Sequence, residues 1–218
     1  MLRIDRAVVP IPGCLAASPA GRRYSRLTAA EREEIRTRLL DIQKHRCAYC
    51  ERRTAEDRDD GHIEHFHSQA NNQELSLTWS NLFWSCNDEK TCGKHKDKCT
   101  KTSGHLAKFD PCDLVNPGND DPSEYFLFVV DGSVRPREDL DPRRRRRAEE
   151  TLRVFQIADS PYLRRSREDA VNPYLGAIEL LYSDGQEAVI RYVRSQMNRV
   201  SESPFATAIR QYLEGFLP

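Results

Sequence analysis

Four cysteines in two groups constrain this chain more than any other feature. Cys47 and Cys50 form a C-x-x-C pair, and Cys86 and Cys92 form a second pair later in the chain. A two-residue gap lets one tight turn present both sulfur atoms to a metal ion, and four thiolates around one ion make a closed, structural type of zinc site. The sequence therefore predicts a structural zinc knuckle that joins two separate segments.

Other interpretations of these cysteines stay open at this stage. The five-residue gap between Cys86 and Cys92 is longer than the usual two to four, so Cys99 is a possible substitute. Cys47 and Cys50 could form a redox pair, or the four cysteines could be unrelated buried residues. The odd total of seven cysteines argues against a disulfide framework. Cys14 and Cys112 are interpreted as ordinary cysteines.

Charge distribution gives a mixed signal about nucleic acid. The 218-residue chain has a formal net charge of zero, which mildly opposes a nucleic-acid enzyme. Its basic residues are nevertheless clustered, in one lysine-rich segment from Lys94 to Lys108 and in the unbroken run Arg143–Arg147. No apolar run approaches the length of a membrane span and no apolar leader is visible, so we expect a cytoplasmic protein.

Between the two cysteine pairs, and directly after the second pair, lies an ordered set of residues that suits a one-metal phosphodiesterase. Glu64 and a neutral His95 could hold Mg²⁺ or a similar ion, which neutralises charge on a scissile phosphate. His65, kept off the metal, could take a proton from the attacking water. Asn81 could hydrogen-bond the backbone and fix the segment that carries His65. Neighbouring strand residues point to opposite faces, so Glu64 and His65 share a site only if the backbone bends there.

The order of these motifs resembles the HNH endonuclease superfamily, whose core is a ββα-metal finger. A closer resemblance is to the HNH nuclease component of Septu-type and retron-associated anti-phage systems. It extends from about Arg36 to about Arg167 and is strongest in the finger. Its motifs here are Cys47-Ala-Tyr-Cys50-Glu51, Ile63-Glu64-His65-Phe66, Trp79-x-Asn81-Leu82, Cys92-Gly93-x-His95-Lys96-Asp97 and Asp131-Gly132.

The resemblance implies a metal-dependent endonuclease that hydrolyses DNA or RNA. His65 would be the general base, Glu64 and His95 would bind catalytic Mg²⁺ or Mn²⁺, and Asn81 would be the structural asparagine. Gly93 is a departure, since many members carry Asn or His directly after the last cysteine. The resemblance also implies an ATPase partner subunit and, in retron-linked systems, a reverse transcriptase with its RNA–DNA product.

Several further residues are assigned by position. We expect phosphate contacts from His67, Lys94, Lys96 and Lys98, with a metal contact as another option for His67. The Arg143–Arg147 run fits a solvated helix surface as well as it fits phosphate contact or docking on a partner. The remaining histidines are interpreted as incidental: His45, His62 and His105.

The predicted fold class is α+β, with a ββα-metal finger and its zinc knuckle, a small β-hairpin, and helical N- and C-terminal regions. We expect an irregular segment at 1–27, the nuclease core at 28–110, and at 111–218 a hairpin and helical region packed on the core or on a partner. Helix starts are predicted at the Thr28–Glu31 capping box and at Asp141-Pro142, Ser160-Pro161 and Ser203-Pro204. Pro173 should kink or break its helix.

A different class of function stays open. A non-catalytic zinc module that binds nucleic acid or protein needs the four cysteines and the basic clusters, but it needs neither Glu64 nor His65.

Overall fold

The computed structural model describes residues 1–19, 21–54, 60–101 and 108–218, with the backbone alone at residues 100 and 101. Helices and two small antiparallel sheets make up the described chain, so the predicted α+β class is confirmed. In chain order the elements are α1 (Gly13–Ala16), α2 (Ala29–Gln43), β1 (Gly61–His65), β2 (Leu82–Cys86), α3 (Cys92–Lys101), β3 (Phe126–Phe128), β4 (Val134–Pro136), α4 (Pro142–Phe155), α5 (Pro161–Leu181), α6 (Gln186–Val200) and α7 (Ala206–Glu214).

Helix α2 brings the chain to the first cysteine pair. It begins at the predicted capping box, in which the Thr28 hydroxyl accepts the Glu31 N–H and the Glu31 carboxylate accepts the Thr28 N–H. It ends where Lys44 and His45 adopt left-handed backbone angles, with φ of 53° and 54°. These two residues turn the chain between the end of α2 and Cys47.

Strands β1 and β2 and helix α3 follow one another as a ββα unit. The strands are antiparallel, with Gly61 opposite Cys86 and His65 opposite Leu82. Every residue of β2 is buried, and α3 packs against both β2 and α4. The unit places the second cysteine pair at the end of β2 and the start of α3.

The C-terminal region contains the predicted hairpin, β3–β4, followed by helices α4 to α7. Two proline-led helix starts are confirmed, because Asp141 caps α4 and Ser160 caps α5. The third, at Ser203-Pro204, is wrong. Helix α7 begins at Ala206, and the carboxylate of Glu51 accepts the N–H of Thr207 in its first turn, so the cap comes from a distant segment.

Pro173 does not end a helix. Helix α5 is continuous from Pro161 to Leu181, and Pro173 lies inside it. Val171 and Ile178, on either side of the proline, are both buried. Their packing stabilises both halves of the helix and offsets the hydrogen bond that proline cannot donate.

One apolar core connects the predicted segments. Its buried residues come from the N-terminal segment (Ile4), from α2 and β2 (Leu39 and Phe83), and from the C-terminal helices (Phe155 and Ile209). The helical region therefore packs directly on the ββα unit, while the boundaries near residues 27 and 110 stay predictions. None of the described helices has the length and apolarity that a bilayer span requires.

Candidate metal centre and catalytic cavity

Cys47, Cys50, Cys86 and Cys92 converge in one buried cluster. Their sulfur atoms all lie within 4.8 Å of one another, and the Sγ atoms of Cys50 and Cys86 are 4.0 Å apart. Sulfurs in a tetrahedral zinc site are about 3.8 Å apart, given a Zn–S bond of about 2.3 Å. The four cysteines are thus positioned to bind a metal ion, with the donor set of a structural zinc site. Cys99, the possible substitute, is not part of this cluster.

Hydrogen bonds between the two segments fix the cluster. The side chain of Gln43, at the end of α2, accepts the Trp84 N–H at 2.8 Å and donates to the Trp84 carbonyl at 2.9 Å. The Ala48 N–H donates to the same carbonyl at 3.0 Å. Cys92 adopts a left-handed backbone with φ of 56°, a costly conformation that aims its thiol toward the cluster.

The electrostatics of the cluster favour a cation. Burial, reinforced by the neighbouring thiols, raises the pKa of Cys92 well above its usual value, and the thiols of Cys47 and Cys86 raise the pKa of Cys50. At Cys47 burial also raises the pKa, but hydrogen bonds from the other thiols lower it overall. A bound positive charge is therefore what would favour deprotonation of Cys50 and Cys92.

A cavity of about 260 Å³ lies beside the ββα unit. Strand β1 ends at His65, and the chain then turns into a loop that forms one wall of the cavity. Both Glu64 and His65 line it, although they are neighbours on a strand. The two predicted residues thus line one cavity, together with Asp97 of α3 and Gln69 of the loop.

The hydrogen bonds of His65 define which ring nitrogen carries the proton. Its Nε2 lies 3.0 Å from the carbonyl oxygen of Ser76, which can only accept, so Nε2–H is the donor. Its Nδ1 then accepts from the Gln69 amide at 3.2 Å. Burial lowers the pKa of His65 below its ordinary value of 6.5. At neutral pH the ring is therefore uncharged, with a lone pair on Nδ1.

Glu64 is a buried carboxylate that pairs with a buried lysine. The Nζ of Lys96 lies 2.6 Å from Glu64 Oε1, and neither side chain is more than 2% exposed. Burial alone would raise the pKa of Glu64, but the neighbouring Lys96 ammonium lowers it overall, so Glu64 is ionised. The Lys96 ammonium also donates to the His65 carbonyl at 2.6 Å. Lys96 therefore organises the cavity, and its ammonium is buried rather than presented at the surface for the predicted phosphate contact.

Asn81 joins two parts of the loop around the cavity. Its Oδ1 accepts the His67 N–H at 2.7 Å, and its Nδ2 donates to the carbonyls of His67 and Leu75 at 3.1 Å each. The side chain is buried. These are the backbone hydrogen bonds expected of a residue that fixes the segment after His65.

His95 lies away from the cavity. Its Nδ1 donates to the carbonyl of Val154 at 2.9 Å. Val154 belongs to the last turn of α4, where carbonyl groups have no partner within the helix. His95 therefore caps α4, and the structure does not bring it together with Glu64 as the predicted ligand pair.

The remaining basic residues divide into two groups. Lys94 and Lys98 are partly exposed and lie near Glu89, at 3.9 and 3.0 Å, while burial lowers the pKa of the half-buried His67. The Arg143–Arg147 run is mostly engaged within the fold, in the ion pairs Arg144–Glu124, Arg146–Asp113 and Arg147–Asp120. The side chain of Lys101, and His105, lie outside the described residues.

His62 is a cavity residue that sequence reasoning missed. It was interpreted as incidental, yet its ring lines the cavity and its Nε2 lies 3.5 Å from Glu64 Oε2. The alternation of side chains along a strand is the signal that could have identified it. Residues 62 and 64 are two apart on β1, so they share a face.

Comparisons with known proteins give a partial match. No family model matches the chain. A stretch of 92 residues, 42% of this chain, is 32% identical to the Septu protein PtuB of Bacillus thuringiensis, and it covers 32% of that protein. The chain thus spans about a third of the length of this curated relative, to which it is similar over less than half of its own residues.

Proposed function

We propose that this protein is a metal-dependent HNH endonuclease in which His65 is the general base and the four cysteines bind structural zinc. One observation carries the proposal. The neutral imidazole of His65, with its unprotonated Nδ1, and the buried, ionised carboxylate of Glu64 line the same cavity. The same unit of the fold contributes to a four-cysteine cluster. A non-catalytic zinc module has no need for that juxtaposition.

The residues of the cavity fit a divalent ion. Glu64 offers a carboxylate that Lys96 keeps ionised, and Asp97, about half exposed, adds a second carboxylate at the cavity wall. Oxygen ligands of this kind suit Mg²⁺ and Mn²⁺. A bound ion would neutralise charge on the scissile phosphate and stabilise the leaving oxygen.

His65 supplies the proton transfer. The Gln69 amide occupies the position from which a donor reaches Nδ1, and a water in its place can donate its proton to the same lone pair. The water oxygen then forms a bond to phosphorus, while the bond from phosphorus to the leaving oxygen breaks. The hydrogen bond from Nε2–H to the Ser76 carbonyl holds the ring in this tautomer.

The biological role follows from the partial similarity to the Septu protein PtuB. We infer that the chain acts in anti-phage defence, cutting DNA or RNA as a toxic effector together with an ATPase subunit. The retron-type arrangement with a reverse transcriptase and its RNA–DNA product is the second form of the same proposal. A cytoplasmic location fits both.

The decisive experiment compares wild type with His65→Ala on DNA and RNA substrates, with Mg²⁺ or Mn²⁺ and with the ATPase partner present. We expect cleavage to fall at least 100-fold, the scale of a lost general base. Zinc content and the thermal unfolding midpoint should stay near wild type, since His65 is outside the cysteine cluster. Undiminished cleavage by a folded His65→Ala protein would exclude this mechanism, and zinc binding without any cleavage would favour the non-catalytic module.

A further inference from the structure

His62 Nε2 and Glu64 Oε2 face each other at one side of the cavity. The Asn87 amide donates from Nδ2 to the Gly61 carbonyl at 3.2 Å, which orients its Oδ1 toward His62 Nδ1 at 2.9 Å. An amide oxygen only accepts, so the proton of a neutral His62 ring is on Nδ1. The lone pair on Nε2 is therefore directed at the side of the ring nearest Glu64.

His62 Nε2 is buried and makes no hydrogen bond to any residue that the structure describes. Its nearest charged neighbour is Glu64 Oε2, 3.5 Å away. The other carboxylate oxygen, Oε1, is paired with the Lys96 ammonium at 2.6 Å. A lone pair and a carboxylate oxygen at this distance repel each other unless a cation or a proton lies between them.

The spacing fits two neighbouring ligands of one small ion. Adjacent ligands in an octahedral Mg²⁺ site, with bonds of about 2.1 Å, are about 3.0 Å apart. The observed 3.5 Å requires only a small closure of the His62 and Glu64 side chains. The Asn87 contact also matches the usual arrangement, in which a metal-binding histidine donates its other N–H to an oxygen.

Gly93 of helix α3 lies close to both His62 Nε2 and Glu64 Oε2. A Cβ atom at position 93 would lie 2.8 Å from Glu64 Oε2 and 3.0 Å from His62 Nε2. Any side chain there would enter the space between these two atoms. Helix α3 therefore presents no side chain of its own beside these two atoms.

We propose that His62 Nε2 and Glu64 Oε2 together bind the catalytic divalent ion, with Asn87 as the positioning residue that fixes the His62 tautomer. This inference rests on the proposed function and assigns the imidazole ligand to His62 in place of His95. Asp97, at the cavity wall, is placed to meet a hydrated ion as it enters.

A matched pair of histidine variants tests the assignment. Mn²⁺ binding is measured by calorimetry and by electron paramagnetic resonance on zinc-loaded full-length protein, for wild type, His62→Gln and His95→Gln. We expect His62→Gln to weaken Mn²⁺ binding at least 10-fold and His95→Gln to change it less than twofold. Zinc content and the unfolding midpoint of each variant report whether the fold is intact.

Asn87 gives a second, graded test. Asn87→Leu removes the acceptor for His62 Nδ1–H and should weaken Mn²⁺ binding 10- to 100-fold, the range found for partners of metal-binding histidines. Asn87→Asp keeps an oxygen at this point and should restore most of the affinity. A purely structural role for Asn87 would not produce this difference, because Asp also loses the bond to the Gly61 carbonyl.

A measurement on wild type guards against a variant that fails to fold. In spectra of histidine-labelled protein, Mg²⁺ should shift the His62 ring signals strongly and leave those of His95 nearly unchanged. Wild-type Mn²⁺ affinity in folded His62→Gln, or a loss of affinity in His95→Gln, would overturn the assignment. Neither result would rescue or refute His65 as the base, because that is decided by the cleavage activity of His65→Ala.

Discussion

The cysteine cluster and the cavity both take a residue from helix α3, Cys92 and Asp97, yet they differ in access and in chemistry. The cluster is sealed, with four identical sulfur donors and no more than 2% exposure at any of them. The cavity holds mixed oxygen and nitrogen groups, and Asp97 at its wall is 46% exposed. A closed site of identical ligands stabilises a fold, whereas an open site can admit water and substrate. Under the proposed function, helix α3 joins a supporting site, through Cys92, to a reactive one, through Asp97.

The largest effect is expected from a substitution in the closed cysteine cluster. Cys50→Ser removes one of four metal ligands, and structural zinc contributes on the order of 10 kcal/mol to folding in small zinc domains. We expect loss of zinc and a large drop in the unfolding midpoint, measured by metal analysis and calorimetry. Cys112→Ser, at an exposed cysteine outside the cluster, is the control and should keep both. A Cys50→Ser protein with full zinc content and normal stability would contradict a structural role.

A smaller loss of stability should follow from breaking the buried Lys96–Glu64 ion pair beside the cavity. Lys96→Met leaves Glu64 as a buried carboxylate without its partner, which costs about 3–5 kcal/mol in comparable pairs. Chemical denaturation measures the free energy of unfolding. The double variant Lys96→Met/Glu64→Gln should recover part of the loss, and Lys98→Met, at an exposed lysine, should cost little. Equal losses at positions 96 and 98 would mean that the buried pair has no special importance.

The pH dependence of the cavity should differ from that of the cluster. Burial lowers the pKa of His65 below 6.5 in the folded protein, so the unfolded state binds the proton more readily. The stability that the neutral ring contributes is full above pH 6.5 and is lost as the pH falls through the folded-state pKa. The cleavage rate should also fall as the pH is lowered, with a midpoint below pH 6.5, because His65 must be neutral to act as a base. A pH–rate profile on wild type measures it, and a midpoint above 6.5 would contradict the assignment.

The smallest expected effect concerns the surface beside the cavity. Lys94 and Lys98 are four residues apart on α3, so they share an exposed face. If both contact phosphate, Lys94→Ala/Lys98→Ala should weaken nucleic-acid binding and reduce the slope of log affinity against log salt by about 1 per lost contact. Fluorescence anisotropy at several salt concentrations measures this slope. The Arg143→Ala variant is the comparison, and a larger effect there would move the nucleic-acid surface to α4.

Spacing along the chain predicted the closed site well, because a C-x-x-C turn brings its sulfurs together by local geometry alone. The open site depends on helix and strand phase, which the motif order does not reveal. Once residues 92–101 form a helix, His95 turns toward α4 while Gly93 and Asp97, one turn apart, face β1. Lys96 is buried because of this same helix phase, whereas Lys94 and Lys98, two residues before and after it, are at least partly exposed. Sequence could not supply these facts, since they depend on which elements pack on each side of α3.

Because Glu51 caps α7, one contact of the cysteine-bearing segment can form only after the C-terminal end of the chain has been synthesised. Glu51 directly follows Cys50, but its carboxylate is buried against an N–H that lies 156 residues later in the chain. Closing so long a loop costs more conformational entropy than closing the local C-x-x-C turn. While the chain is being made, this turn therefore carries a carboxylate that still lacks the Thr207 N–H. The knuckle begins as a local structure and reaches its final form only when the last helix arrives.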